Sequence, residues 1–129
     1  MTKRQFNPYS ASSNARHSLV SWFGQAEKLR VSSKPGLNAT LVTDKEAVLI
    51  GWHLVNSSIA AIQLNFYDQT TLPAAGDEID WILRLAPDSA STAEFALQIP
   101  FFRGLAFTIT RYDRQELGGH SVEGVLLYA

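Results

Sequence analysis

Residues 103–111 read Arg-Gly-Leu-Ala-Phe-Thr-Ile-Thr-Arg. Leu105, Phe107 and Ile109 fall on one side of an extended chain, and Gly104, Ala106, Thr108 and Thr110 fall on the other. Successive side chains of a strand point to opposite faces, so this period of two predicts a strand with one buried face. A helix would repeat its apolar positions every three to four residues instead.

The same period recurs on both sides of that stretch. Leu29 and Val31 alternate with Lys28 and Arg30 over 27–32, and Lys34-Pro35-Gly36 then signals a turn before a strand at 37–43 through Ala39 and Leu41. In 47–56, Val48, Ile50, Trp52 and Leu54 share one face, while Leu49 and Val55 make the other apolar too, as in a strand buried on both sides. Ala60, Ile62, Leu64 and Phe66 resume the pattern over 60–67 against Gln63, Asn65 and Tyr67. Pro73 and Gly76 mark a long loop. Ile79, Trp81, Leu83 and Leu85 define an inward face at 78–86, and Ala93, Phe95, Leu97 and Ile99 another at 91–99. A last strand is predicted at 121–128 after Gly118-Gly119. About eight short strands separated by turn signals predict an all-β, single-domain antiparallel β-sandwich, jelly-roll-like, over residues 17–129. The 17–23 stretch, with Leu19, Val20, Trp22 and Phe23, reads equally as a strand or a helical turn. Phe101-Phe102 cannot both face inward on a strand, so one of the pair is expected to leave the core.

Residues 1–16 lack periodicity and are predicted to form an extended N-terminal arm. Before Asp44 the only acidic residue is Glu27, against Lys3, Arg4, Arg16, Lys28, Arg30 and Lys34, whereas the rest of the chain is rich in acid. These charges either face solvent or dock the arm on an acidic partner. Phe6 and Tyr9 are poor choices for a solvated tail, so Lys3, Arg4, Phe6, Tyr9 and Arg16 form the candidate partner-binding set. Protein is the expected partner: the basic residues are too scattered for nucleic acid, and no apolar run approaches the roughly 20 residues that cross a bilayer.

Composition narrows the chemistry. The 129 residues are 46% hydrophobic and 18% charged, with a net charge of −1 and no cysteine, which excludes disulfides and thiolate metal ligation within them. The polar residues after the basic start do not resemble a secretory signal. Asn38-Ala39-Thr40 and Asn56-Ser57-Ser58 are read as chance matches to the glycosylation pattern. His17, His53 and His120 stand in no metal-ligand spacing, and His53 is expected to be a hydrogen-bonded or sheet-surface residue. Glu78 and Asp80 project together but lack a glycine-bearing calcium loop. No nucleophile elbow, paired catalytic carboxylates or phosphate loop is present, so the expectation is a protein that is not an enzyme, with no cofactor and no metal.

Gly51-Trp52-His53-Leu54-Val55-Asn56, then Ile62-Gln63-Leu64-Asn65-Phe66-Tyr67-Asp68, Pro73, Gly76-Asp77 and Pro100-Phe101-Phe102-Arg103-Gly104-Leu105-Ala106-Phe107 form a longer pattern. It resembles small virion-associated proteins of tailed bacteriophages. That resemblance covers roughly the second half of the chain and leaves the first 43 residues outside it. It implies a capsid decoration (cement) protein on the virion surface, present in the host cytoplasm during assembly. Its implied partners are the major capsid protein and further copies of itself, as a trimer, with neither nucleic acid nor membrane. A carbohydrate-binding module of a tail or head fibre and a tail or neck component are the alternatives.

Overall fold

The computed structural model describes residues 26–93, 98–119 and 121–129, and contains no helix among them. Nine strands form: β1 (Glu27–Ser32), β2 (Thr40–Thr43), β3 (Ala47–Asn56), β4 (Ile62–Tyr67) and β5 (Trp81–Leu85), then β6 (Ser89–Ala93), β7 (Ile99–Phe101), β8 (Leu105–Arg111) and β9 (Val122–Tyr128). One antiparallel sheet runs β1-β9-β3-β6, with β7 also on β3; the other runs β2-β8-β4-β5. The chain changes sheet at every connection except β4–β5 and β6–β7. This interleaving of a five-strand and a four-strand sheet has the strand order of a jelly roll, the β-sandwich expected from the sequence.

The ninth strand arises because β6 and β7 pair with successive halves of β3: Ser89–Ala93 oppose Asn56 to Trp52, and Ile99–Phe101 oppose Leu49 to Ala47. The predicted single strand at 91–99 is therefore two. Its expected inward Phe95 and Leu97, like the 1–16 arm and the 17–23 stretch, lie outside the described residues.

The core sits between the sheets. Leu49, Trp52, Leu54, Phe101, Val122 and Leu126 pack from one side, and Ile62, Leu64, Phe66, Leu105, Phe107 and Ile109 from the other. Trp81 packs on Trp52 and Phe66 with ring centroids 5.6 and 5.7 Å away. The predicted face of β3 is corrected in its first half. A register shift between Leu49 and Gly51 where β3 meets β9 changes the phase. Ala47 and Leu49 therefore join Trp52 and Leu54 in the core, while Val48 and Ile50 do not. A bulge inserts an extra residue and so reverses the alternation downstream of it.

Polar side chains, buried at Asn56 and half-buried at Asn38, fasten the loops. Asn56 Nδ2 donates to the carbonyls of Ala60 (2.9 Å), Leu85 (3.3 Å) and Ala86 (3.0 Å), while its Oδ1 accepts from Ser58 N and Oγ. Asn38, at φ 56°, is tied to Lys34 through both amide atoms. Each asparagine of the two glycosylation-like triplets is thus committed to holding a turn.

Candidate interaction surface

Among the described residues, the most exposed large apolar side chains stand on loops, while Val55 on β3 is exposed to 39%, so the second half of β3 is not buried on both sides as its sequence suggested. Ile59, in the loop from β3 to β4, is 97% exposed; Leu72, between β4 and β5, is 59% exposed; Phe102, between β7 and β8, is 70% exposed. Phe101 is buried, so the Phe-Phe pair divides as its spacing requires. Ile59 stands just before β4 begins, whereas Leu72 and Phe102 stand near its far end. Six residues of strand span about 20 Å, so the sandwich carries apolar anchors at opposite poles.

The Phe102 pole is braced by Asp68. Its carboxylate accepts the backbone N–H of Phe102 (Oδ2, 3.0 Å), Arg103 (Oδ1, 2.7 Å) and Gly104 (Oδ1, 3.3 Å). Asp68 N in turn donates to Asp80 Oδ2 at 2.6 Å, so both ends of the 68–80 loop are joined. A side chain at Gly104 would collide with the Gln69 carbonyl and come 2.9 Å from the Thr43 carbonyl, so only glycine lets these loops close together. Asp77 Oδ2 accepts from Gln69 Nε2 and Ala74 N, both at 2.9 Å, which lowers its pKa and shapes the tip bearing Leu72. The sequence signalled this region only as a Pro/Gly loop; which carboxylate clasps it depends on a partner 34 residues away.

Desolvation raises the pKa of Asp68, yet the hydrogen bonds from Arg103, Phe102 and Gly104, with the Arg103 charge, outweigh it and hold the group below its ordinary 3.8. A depressed carboxylate stabilises the fold above its unfolded pKa and loses that contribution as pH falls through the folded value. The amide proton shifts of residues 102–104 should therefore titrate together, with a midpoint below 3.8, when followed by NMR. In Asp68→Asn that titration should vanish. A wild-type midpoint at or above 3.8 would contradict the clasp.

A concavity opens at the sandwich edge between β1 and β2. This cleft of about 270 Å3 has Leu29, Val31, Phe107 and Ile109 in its wall and Arg30 and Lys34 at its margin. The remaining sequence-predicted chemistry stays dispersed. His53 is exposed and its Nδ1 lies 2.7 Å from Thr92 Oγ1, the sheet-surface role expected of it. Asp80 bonds the backbone of Asp68, and Glu78 is exposed. Among the described residues no cluster of three or more metal-ligating side chains forms. The candidate residues Lys3, Arg4, Phe6, Tyr9 and Arg16, together with His17 and His120, lie outside the described residues.

No family model matches the chain, and no curated protein does. Among solved structures, it is similar to a chain of the disulfide-linked pili described as Bacillus endospore appendages. The likeness has a TM-score of 0.48 at 10% identity and covers 80% of this chain and 82% of the other. These 129 residues hold no cysteine, so that linkage has no counterpart within them.

Proposed function

We propose that this chain is a structural adhesion module: a capsid decoration protein that clamps neighbouring subunits of a tailed-phage head from outside. The observation that carries the reading is the pair of apolar poles, Ile59 at one end and Leu72 with Phe102 at the other, joined by a rigid sandwich. Exposed apolar side chains on fixed loops are effective contact anchors, because little entropy is lost when they dock. Two anchors about 20 Å apart on one body convert the second contact into an intramolecular event, so modest individual affinities multiply along a lattice. The proposed occupants of the poles are the major capsid protein and further copies of this chain at three-fold positions. The arm residues Lys3, Arg4, Phe6, Tyr9 and Arg16 reach an acidic neighbour in the same arrangement.

The test is occupancy on purified heads. Removing residues 1–16 is expected to abolish binding while leaving the urea midpoint unchanged. Phe102→Ser should weaken binding at least tenfold, as expected for an anchor costing about 2 kcal/mol, with stability altered by less than about 0.5 kcal/mol. Full occupancy of both variants would reject the reading. A fibre-borne glycan reader would instead give specific signals on a glycan array. Its exposed Tyr112 is a poor sugar platform, since the Arg84 guanidinium already lies over that ring, 5.1 Å from the centroid.

A further inference from the structure

Among the described residues, β1, β2, β5, β6 and β7 each have a sheet neighbour on one side only. Such edges invite another strand, and natural sheets blunt them with charge, proline or a bulge. β1 displays Glu27, Lys28 and Arg30, all exposed. The register of β2 on β8 shifts between Leu41 and Thr43, β5 displays Arg84, and β7 has the exposed Pro100 at its centre. β6 has none of these devices. It reads Ser89-Ala90-Ser91-Thr92-Ala93, small and uncharged throughout, and pairs in unbroken register with Asn56 to Trp52 of β3.

The direction of its backbone groups follows from the neighbouring ladder. Ser57 N donates to the Ser121 carbonyl at 2.9 Å, continuing the register of β3 on β9. Bonding direction alternates residue by residue in an antiparallel ladder. Val55 and His53 therefore also turn their N–H and C=O to β9, whereas Trp52, Leu54 and Asn56 turn theirs to β6. The partners Ala93, Ser91 and Ser89 are thereby committed to β3. Ala90 and Thr92 are left with N–H and C=O groups pointing away from the sheet. Both residues are exposed, and no other hydrogen bond to these groups occurs among the described residues. The described loops are engaged elsewhere. Residues 33–39 meet 112–119 through Gly36 and Leu117, 68–80 is clasped to 102–104, and 57–61 holds the turn at Asp88 before β6 begins.

We infer that β6 is a self-pairing edge: Ser89–Ala93 joins Ser89–Ala93 of a second copy, antiparallel about a two-fold axis through Ser91. In that register Ala90 lies opposite Thr92 of the second copy, and Thr92 opposite its Ala90. Every outward N–H then meets an outward C=O, and the sheet continues from one molecule into the other. A second copy fits because the edge is complementary to itself. Ser91 faces Ser91 and Ser89 faces Ala93, so no charge, ring or proline enters the ladder. The same operation at β1 would set Arg30 against Arg30 or against Lys28, and like charges directly opposite destabilise a ladder. Five residues of strand run only about 17 Å, so the contact is small and belongs with weak, transient interfaces. This goes beyond head binding: the two-fold contact forms in free protein and is separate from the three-fold arrangement proposed above.

The full chain without heads is the test sample. Sedimentation equilibrium should show monomer and dimer with a dissociation constant of about 10 μM to 1 mM. In an isotope-filtered spectrum of mixed labelled and unlabelled protein, nuclear Overhauser contacts should join Ala90 to Thr92 of the other molecule. Ala90→Lys combined with Thr92→Lys sets like charges opposite one another and should raise the dissociation constant by about fivefold or more, with the urea midpoint unchanged. Ala90→Glu with Thr92→Glu should do the same, and mixing the two variants should restore association. Association untouched by the lysine pair, a mixture that stays monomeric, or intermolecular contacts that omit residues 90 and 92 would each overturn the inference. So would a wild-type monomer at millimolar concentration; shifts at residues 90 and 92 on adding capsid subunits would then assign the edge to a foreign strand. Heads enter none of the self-association measurements, so failure of head binding leaves their outcome unaffected.

Discussion

Gly124→Ala is expected to destabilise the protein by about 3–5 kcal/mol, a large share of the roughly 5–15 kcal/mol that holds a domain together. Gly124 lies in β9, which is flanked by β1 and β3, opposite Val31 on one side and Leu54 on the other. Its φ of +148° is a conformation that side chains rarely adopt. A methyl group there would overlap the His53 carbonyl oxygen, with the His53 carbonyl carbon at 2.9 Å and Leu54 Cα at 3.0 Å. All three atoms are backbone in a paired strand, so relief requires opening the ladder between β3 and β9. Gly118 and Gly119, with open space around them, provide the controls, and alanine at either should move the urea midpoint little. If Gly124→Ala unfolds at the wild-type midpoint, the close approach of β9 to β3 is misplaced.

Phe66→Ala should cost about 3–5 kcal/mol, the range for removing a fully buried aromatic ring. Phe66 is 0% exposed near the end of β4, with Trp81, Phe107 and Phe101 ring centroids at 5.7, 6.1 and 6.2 Å. These tilted contacts link β4, β5, β7 and β8, so the vacated volume borders both sheets and cannot collapse without separating strands. Phe66→Leu should lose under about 2 kcal/mol, because most of the volume remains. Chemical denaturation followed by tryptophan fluorescence would read both, since Trp52 and Trp81 belong to the same aromatic group. Equal losses for alanine and leucine would show that ring packing is not what Phe66 supplies.

The contrast between β8 and β4 shows where sequence reading succeeds and where it stops. In β8 the alternation of Leu105, Phe107 and Ile109 with Ala106, Thr108 and Thr110 identifies the core face correctly. It also predicts an outer face open to water, and the structure overturns that prediction: Ala106, Thr108 and Thr110 are buried, as are Gln63, Asn65 and Tyr67 beside them. Polarity reports what a side chain can bond to. It does not report whether its partner is water or another amide. Of the candidate surface, the departure of one residue of Phe101-Phe102 from the core was legible from strand geometry, whereas Ile59 and Leu72 carried no signal, because an isolated apolar residue in a loop has no periodic context.

Residue order alone determined where most strands lie, the inward faces of β1, β4, β5 and β8, and the two-sheet architecture, since alternation and turn chemistry are local properties of the chain; in β2 it is Val42, not the expected Ala39 and Leu41, that packs on the core. Tertiary structure decided the rest. The register shift between Leu49 and Gly51, the division of the β3 partner into β6 and β7, the Asp68 clasp on residues 102–104 and the burial of the outer polar residues of β4 and β8 each join positions far apart in sequence. Such pairings are set by which backbone groups meet once the sheets stack, and no local pattern encodes that meeting.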